Sequence, residues 1–288
     1  METAGVHLNR NPAAAAIEAW SGKDRGDENF PVGSFLIAPH LRRHVHAFYA
    51  FGRNADDIAD SGELTEAEKI SRLNAMEDVL LGRRTEGSPS AARLRESLAE
   101  TQVTAEHARD LLHAFRQDAT KNRTTSWADL MDYCRYSAMP VGRYVLDLHG
   151  ESRDTWPHSD ALCAVLQVLN HLQDCADDLR TLNRCYLPLD LVEQAGASID
   201  HLRGAHESPA LRQVFNNLLS RCDELNRAAR PLPSRVRGRR LRMECAVITA
   251  IGRRLTGRLK REDPVATRVK LTKLDAAAAG AAAFAVVA

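Results

Sequence analysis

Two short acidic runs, far apart in the chain, contain the residues best suited to chemistry. The first run, Arg53-Asn54-Ala55-Asp56-Asp57-Ile58-Ala59-Asp60, separates Asp56 from Asp60 by four positions. In a helix, this spacing places both carboxylates on one face, about 6 Å apart along the axis. Arg53 lies three positions before Asp56 and shares that face. Taken alone, the run is weak support for function, because an acidic stretch on a helix is usually a solvated surface.

The second run is a polar stripe on an otherwise apolar segment. Its polar residues recur at steps of three, four and four positions: Gln167, Asn170, Asp174 and Asp178. The positions around the stripe are apolar: Leu162, Val165, Leu166, Val168, Leu169 and Leu172. This pattern predicts a central, buried helix. Buried carboxylates are costly without partners, and no basic residue lies at helical spacing inside the stripe, so a cation is the expected partner.

The chemistry expected of these runs is that of a hard metal ion and a phosphate. Two carboxylate pairs on separate helices, facing each other across a cavity, suit Mg²⁺, which takes oxygen ligands and keeps positions for water and substrate phosphate. His and Cys residues show no ligand pattern that would favour zinc. Arg53 is placed to give the forked hydrogen bonds that phosphate oxygens accept.

Helices are predicted to position both runs. Almost every segment has helical periodicity, and no window shows sustained alternation of period two. One helix is expected from Pro39 to Asp60, one from Trp127 to near Gly150 and one from about Trp156 to Leu182. Each of three further helix starts pairs a capping serine with a proline: Ser88-Pro89, Ser208-Pro209 and Pro233-Ser234. The prediction is an all-α, single-domain bundle of roughly ten helices.

Composition limits the class of protein and its surroundings. The chain has 288 residues, 44% hydrophobic and 27% charged, with a formal net charge of +1. These values are typical of a soluble globular protein and argue against nucleic acid as a partner. The six cysteines form no CxxC pair, so neither a zinc site nor a disulfide framework is expected, and a cytoplasmic location fits. The apolar stretch 276–288 is shorter than the roughly 20 residues that a membrane-spanning helix needs.

Three motifs and a short trailing segment make the sequence resemble the squalene and phytoene synthases, a family of helical enzymes that act on isoprenoid diphosphates. The resemblance extends from Asn29 to about Lys273. Its motifs are Arg-x-x-Asp-Asp-x-x-Asp at 53–60, Tyr-Cys…Val-Gly at 133–142, Gln-x-x-Asn-x-x-x-Asp-x-x-x-Asp at 167–178, and Arg-Cys-Tyr-Leu-Pro at 184–188. The resemblance implies an isoprenoid synthase bundle with a central cavity in residues 26–274. Residues 1–25 are expected to be partly flexible, and residues 275–288 to be a poorly ordered tail.

The resemblance also implies roles for individual residues. The expected Mg²⁺ ligands are Asp56, Asp60, Asn170, Asp174 and Asp178, and their four aspartates are the expected catalytic residues. The expected substrate-binding residues are Tyr49, Arg53, Gln167, Gln173 and Arg268, with Lys273 as a further phosphate-side cation. The expected wall of the hydrophobic channel contains Ala138, Val141, Gly142 and Val145. Aromatic residues near the first run are expected to pack in the core or to face a carbocation: Phe30, Phe35, Phe48, Tyr49 and Phe51.

Two sequence details resemble one bacterial branch of this family, the hydroxysqualene synthases. They are Glu28-Asn29-Phe30-Pro31-Val32 and Asn170-His171-Leu172-Gln173-Asp174, in which Gln173 stands where many relatives have a basic residue. Members of that branch ionise presqualene diphosphate and capture the rearranged cation with water. The implied reaction therefore needs Mg²⁺, belongs to hopanoid-linked squalene metabolism and does not use NADPH.

Two other interpretations stay open from the sequence. One is a squalene, dehydrosqualene or phytoene synthase that condenses two prenyl diphosphates head to head. The other is a helical scaffold without catalysis, whose acidic helices are solvated or bind Ca²⁺. Because the products of either enzyme would be very apolar, peripheral contact with the inner face of the membrane is also expected, with Phe284 and the apolar tail contributing.

Overall fold

The computed structural model describes residues 17–18 and 36–287, with side chains up to residue 281. Its α-helices are α1 (Arg42–Asp60), α2 (Glu66–Leu80), α3 (Pro89–Thr101), α4 (Glu106–Thr120), α5 (Trp127–Ser137), α6 (Met139–Leu148), α7 (Trp156–Thr181), α8 (Leu189–Gln194), α9 (Pro209–Ala229), α10 (Leu232–Arg235), α11 (Arg239–Leu259) and α12 (Lys273–Val287). No strand occurs in this part of the chain, and the all-α prediction is confirmed. The predicted N-terminal segment 1–25, apart from Ile17 and Glu18, lies outside the described residues, as do Phe30 and Phe35.

Local capping signals explain several helix starts. The side chains of Ser88, Ser126 and Ser208 each accept a hydrogen bond from a backbone N–H in the first turn of α3, α5 and α9. Pro89 and Pro209 occupy the first helical position, where the missing N–H has no intrahelical partner to lose. The serine and proline signals at these starts therefore act as the sequence predicts.

One predicted helix is divided in two. The segment expected to continue from Trp127 to near Gly150 breaks at Ala138, whose φ of −122° and ψ of −46° depart from helical values. Pro140 follows as the second residue of α6 and cannot donate the hydrogen bond that would join the two helices. The break separates α5 from α6 and turns the chain beside the central helix.

The bundle is arranged around α7, the predicted central helix. This helix packs against α5, α6, α9 and α11, while α1 packs against α2, α3 and α4. Twelve of its side chains are buried, among them Val165, Leu169 and Leu172. The apolar periodicity of the second run therefore predicted its environment correctly.

The C-terminal segment 275–288 lies in α12 up to Val287, and its expected poor order stays a prediction. Thr272 and Asp275 cap this helix reciprocally, with the Asp275 N–H donating to Thr272 Oγ1 over 3.1 Å and the Thr272 N–H donating to Asp275 Oδ2 over 2.9 Å. Ala279 packs against Ala250 and Ile251 of α11. A run of alanines has high intrinsic helix propensity, and the capped end and the packed face support the same conformation.

Candidate active site

A mostly apolar cavity of about 330 Å³ lies between α1, α4, α5, α6, α7 and α11. The predicted channel residues Ala138, Val141, Gly142 and Val145 all line it. Phe48 also lines it, and its ring stacks on that of Tyr144 with centroids 4.0 Å apart. The predicted central cavity is thus present.

Polar residues of both acidic helices line the cavity. The polar members of this group are Tyr49, Arg53, Asp56, Gln167 and Asn170. The first three come from α1 and the other two from α7, so both helices contribute to the wall. Of the four predicted aspartates only Asp56 lines the cavity, and Asp60, Asp174 and Asp178 lie outside its lining. A diphosphate bound here would meet oxygen ligands and a guanidinium while its hydrocarbon chain lay among apolar side chains.

On α1, the guanidinium of Arg53 holds two carboxylates of the first run. It lies 2.8 Å from Asp56 Oδ2 and 2.6 Å from Asp57 Oδ1. These contacts follow from the i, i+3 and i, i+4 spacing in the sequence. Burial lowers the pKa of Arg53, but the charges of Asp56 and Asp57 outweigh it and raise the pKa overall, so the residue stays cationic.

On α7, Asp174 and Asn170 have a partner that the sequence analysis did not find. Arg268 binds both oxygens of Asp174, with Nη2 3.1 Å from Oδ2, and the same Nη2 lies 3.4 Å from Asn170 Oδ1. Within α7 the polar stripe has no basic neighbour, but another segment of the chain supplies one. Tertiary folding brings Arg268 to Asp174 from 94 positions away.

Gln173 was predicted to contact the substrate, but its side chain points away from the cavity. Its side chain is 3% exposed and does not line the cavity; it donates to the carbonyl of Val269. The reason is helical geometry, since Gln173 is rotated by about 100° from Asp174. Gln173 instead fixes the segment that carries Arg268. Arg268 does not line the cavity either, because its guanidinium binds Asp174. Lys273 is exposed at the start of α12.

A buried network of hydrogen bonds and ion pairs adjoins Asp60 of the first run, and the sequence did not predict it. Arg184 Nη1 lies 2.8 Å from Asp60 Oδ1, and Arg184 Nη2 donates to the backbone carbonyl of Asp118 over 3.0 Å. Tyr133 and Tyr186 each donate to the Asp118 carboxylate over 2.7 Å. Burial raises the pKa of Asp118 to about 6, although Arg184 and the two tyrosines oppose the shift. The Arg-Cys-Tyr-Leu-Pro segment was visible in the sequence, but its partner Asp118 carried no signal.

Asp178 is the predicted ligand whose surroundings most favour an added cation. Burial, together with the nearby charges of Asp174 and Asp60, raises its pKa to about 7, although Arg184 opposes the shift. Among the described residues no basic side chain lies within ion-pair distance of it. Carboxylates from α1 and α7 therefore crowd together here at an electrostatic cost, and a divalent cation would relieve that cost.

The five predicted ligands fit Mg²⁺ in their donor chemistry. All are carboxylate or amide oxygens, the ligand type that hard cations take in proteins. In this conformation Arg53, Arg184 and Arg268 hold four of them: Asp56, Asp60, Asn170 and Asp174. No group of three His, Cys, Asp or Glu side chains within the described part converges on one ion position. Binding of a metal at Asp56 or at Asn170 and Asp174 would therefore require Arg53 and Arg268 to exchange partners.

The sequence comparisons agree with one another. The Squalene/phytoene synthase family matches residues 23–275. A protein of Rhodopseudomonas palustris named hydroxysqualene synthase is 48% identical over 261 residues, which are 91% of this chain and 89% of that protein. A hydroxysqualene synthase of Zymomonas mobilis is 43% identical over 269 residues, covering 93% and 89% of the two chains.

Solved structures show the same architecture. Squalene synthase HpnC from Alicyclobacillus acidocaldarius superposes with a TM-score of 0.70 at 32% identity, covering 80% of this chain and 87% of that one. A dehydrosqualene synthase in complex with a ligand superposes with a TM-score of 0.77, covering 89% and 90% of the two chains; at 20% identity this likeness shows the fold alone. With the family match over most of its length, the chain belongs to the squalene/phytoene synthase family.

Proposed function

We propose that this protein converts presqualene diphosphate to hydroxysqualene, by loss of diphosphate, rearrangement of the carbocation and capture of water. The observation that carries the proposal is the identity of 43% to 48% with three proteins named hydroxysqualene synthase, over about nine tenths of the chain. The cavity supports it, because an apolar pocket with acidic and basic groups on its wall suits an isoprenoid diphosphate.

The residues of the chain have distinct tasks in the proposed reaction. When bound, Mg²⁺ would neutralise the charge of the departing diphosphate, and Asp56, Asp60, Asn170, Asp174 and Asp178 would hold it. Arg53 binds phosphate oxygens, and Tyr49 and Gln167 line the substrate site beside it. The apolar walls exclude bulk water, so the carbocation rearranges before it is quenched. The reaction classifies the enzyme as a carbon–oxygen lyase and needs no NADPH.

Product analysis tests the proposal directly. Purified protein is incubated with presqualene diphosphate or with farnesyl diphosphate, each with and without NADPH, and the products are separated by gas chromatography and mass spectrometry. Hydroxysqualene from presqualene diphosphate, without any need for NADPH, is the expected result. Squalene formed from farnesyl diphosphate would sink the proposal.

The second candidate is a squalene synthase that starts from two farnesyl diphosphates. The 32% identical structure carries that name, which is the specific observation in its favour. The same incubations separate the two, because this candidate would consume farnesyl diphosphate and would require NADPH to complete squalene.

The role of the acidic runs has its own test. Asp56→Ala and Asp174→Ala are expected to abolish turnover while the protein stays folded, and Mg²⁺ chelation of the wild type is expected to do the same. Asp177→Ala is a matched control on the same helix, because the Asp177 side chain is 57% exposed and pairs only with Arg180. Turnover that survived in both Asp56→Ala and Asp174→Ala would favour the scaffold interpretation instead.

We also propose peripheral contact with the inner face of the membrane. No helix within the described residues has the length and apolarity to span a bilayer. Leu274 at the start of α12 is 82% exposed, and an apolar tail can add modest affinity for a lipid surface. Co-sedimentation with liposomes tests this: the full chain is expected to pellet more than a chain that ends at Asp275, and equal pelleting would contradict a role for the tail.

A further inference from the structure

Five arginines lie close together where α10 ends and α11 begins. They are Arg235, Arg237, Arg239, Arg240 and Arg242, in a run of positions 235–242 that contains no acidic residue. Because the whole chain has a formal net charge of only +1, these charges are a local concentration. Four of the side chains are exposed and that of Arg242 is half-buried. This surface is called the basic patch below.

The backbone that carries the basic patch is fixed by buried groups. Glu151 is buried and accepts hydrogen bonds from the backbone N–H groups of Arg237 and Gly238, each over 2.8 Å. Val236 is fully buried, whereas the Arg237 side chain stays 75% exposed. The charges are therefore presented from a fixed loop, and only their side chains lose freedom when a partner binds.

The stability of the fold does not explain the basic patch. Arg239, Arg240 and Arg242 lie in the first turn of α11, where the helix dipole favours acidic side chains and disfavours cations. That turn contains no acidic residue. Among the described residues, no carboxylate lies within ion-pair distance of Arg235 or Arg239. Clustered cations at an unfavourable helix end are typical of a surface that binds an anionic partner.

Apolar residues of the cavity wall lie next to the basic patch. Ile37, Leu232 and Leu241 line the cavity. Leu232 begins α10, whose last residue belongs to the patch, and Leu241 is 2% exposed between two arginines of the patch. Arg240 Nε donates to the carbonyl of Leu36 over 3.3 Å, which holds the segment before α1 at the same place. A partner bound at the patch therefore lies beside the apolar part of the cavity.

The helix α12 runs antiparallel to α11, toward the basic patch. Asp275, near the start of α12, pairs with Arg258 at the end of α11 over 3.1 Å. One turn later, Ala279 packs against Ala250 and Ile251, which are closer to the start of α11. The C-terminal end of α12, whose sequence is apolar, therefore approaches the end of the bundle that carries the patch.

We propose that the basic patch binds the anionic headgroups of a bilayer, so that the protein docks on the membrane at this end. The choice of a lipid partner rests on the proposed function, because its hydrocarbon substrate and product partition into membranes. Arginine gives paired hydrogen bonds to phosphate oxygens, and it is attracted by the negative charge of an anionic leaflet. The apolar end of α12 adds contact with the acyl chains beside the headgroups. Nucleic acid offers the same phosphates but no apolar phase.

Vesicle binding tests the proposal without any turnover. The full chain is mixed with vesicles of phosphatidylcholine alone, or of phosphatidylcholine with about 30% phosphatidylglycerol, and the bound fraction is measured by co-sedimentation. The wild type should bind the anionic vesicles at least about tenfold more tightly, and about 0.5 M salt should remove most of this preference. The patch variant combines Arg235→Gln, Arg237→Gln and Arg239→Gln. It should bind anionic vesicles about a hundredfold more weakly, since each arginine near the surface contributes about fivefold.

A control variant makes the same change of charge elsewhere. It combines Arg83→Gln, Arg93→Gln and Arg203→Gln, three exposed arginines of other segments. Its binding should stay within about threefold of the wild type, because salt screens charges that lie farther than a Debye length from the membrane. A chain that ends at Asp275 should bind both kinds of vesicle more weakly and keep its preference for the anionic ones, since the tail contributes apolar contact.

The proposal is overturned if the patch variant binds anionic vesicles as the wild type does, or if the control variant weakens binding as much. It is also overturned if phosphatidylglycerol makes no difference to the wild type, or if a short DNA duplex binds the patch more tightly than the vesicles do. Turnover of detergent-dispersed presqualene diphosphate should be the same in the patch variant and the wild type. A wild type that prefers anionic vesicles but makes no hydroxysqualene would refute the proposed function and leave the membrane-binding patch standing.

Discussion

Arg184 connects the acidic site to the interior, and its removal is expected to destabilise the fold. Its side chain is 7% exposed and lies 2.8 Å from Asp60 Oδ1 and 3.8 Å from Asp118 Oδ1. Asp118 is more deeply buried than Asp60, with side-chain exposures of 6% and 21%. The substitution Arg184→Met retains much of the side-chain volume but leaves the Asp118 carboxylate without its positive partner.

The size of the effect follows from burial. Breaking a buried ion pair by removing one partner costs about 3–5 kcal/mol. Because solvent partly screens Asp60, we expect the lower end, about 3 kcal/mol. For a chain of this length the entropy of unfolding is about 0.6 kcal/mol per kelvin, so the melting temperature should fall by about 5 °C. Calorimetry or circular dichroism at pH 8 measures this shift.

A matched control shows whether the loss of stability comes from the burial of the ion pair or from the loss of a positive charge. Arg180, four positions earlier, pairs with Asp177 at side-chain exposures of 69% and 57%. Exposed pairs contribute about 0–1 kcal/mol, so Arg180→Met should change the melting temperature by less than about 2 °C. A loss of stability as large as that of Arg184→Met would show that burial is not the cause.

The pH dependence gives a second criterion. Burial raises the pKa of Asp118 to about 6 in the wild type, and loss of Arg184 removes an interaction that lowers it. A carboxyl whose folded pKa exceeds its unfolded pKa takes up a proton on folding. Its stabilising contribution is full below the unfolded pKa and is lost as the pH rises through the folded pKa. The cost of Arg184→Met should therefore be smaller at pH 5 than at pH 8. Equal costs at both pH values, or a melting temperature within about 1 °C of wild type at pH 8, would refute the reasoning.

Three further predictions concern the central helix. Gly142→Ala should lower the free energy of unfolding by about 1–3 kcal/mol in denaturant titrations, because overpacking is costly and its Cβ would lie 2.3 Å from Ser159 Oγ and 2.7 Å from Cys163 Sγ. Burial raises the pKa of the Cys163 thiol to about 12, so a thiol reagent at pH 8 should label it roughly a thousandfold more slowly before than after unfolding. Burial lowers the pKa of His171 to about 3, so this group stabilises the fold less as the pH falls below about 6.5, and His171→Gln should reduce acid sensitivity between pH 6 and 4.

Apolar periodicity and capping residues were sufficient to predict most of the helices from the sequence. The apolar pattern around residues 162–172 identified α7 as central, and the Ser-Pro pairs located the starts of α3 and α9. Pro140 is a local signal for the break at Ala138, because a proline inside a helical segment predicts an interruption. These features could be predicted because they depend on neighbours within a few positions, where helical geometry is fixed.

The partners of the acidic residues could not be predicted in the same way. Arg184 and Asp60 are 124 positions apart, and Arg268 and Asp174 are 94 positions apart. Such pairs form only after the bundle has assembled, and many arginines of the chain could have served equally well on charge alone. The orientation of Gln173 could not be predicted either, because adjacent residues on a helix face different neighbours and the neighbours of α7 come from distant segments.

The three arginines of the site divide into two classes by burial. Arg53 and Arg268 have side-chain exposures of 15% and 28%, and their aspartate partners Asp56 and Asp174 have exposures of 31% and 21%. Arg53 also pairs with Asp57, whose side chain is 4% exposed. Partly solvated pairs hold only weakly, so in the proposed reaction the pairs of Arg53 with Asp56 and of Arg268 with Asp174 are the ones that would yield to a diphosphate. Arg184 is held by the buried Asp118 and is better suited to keep Asp60 in place. In the proposed reaction, Asp56 and Asp174 are therefore paired with cations that would exchange partners, whereas Asp60 is paired with a cation that is fixed on the core side.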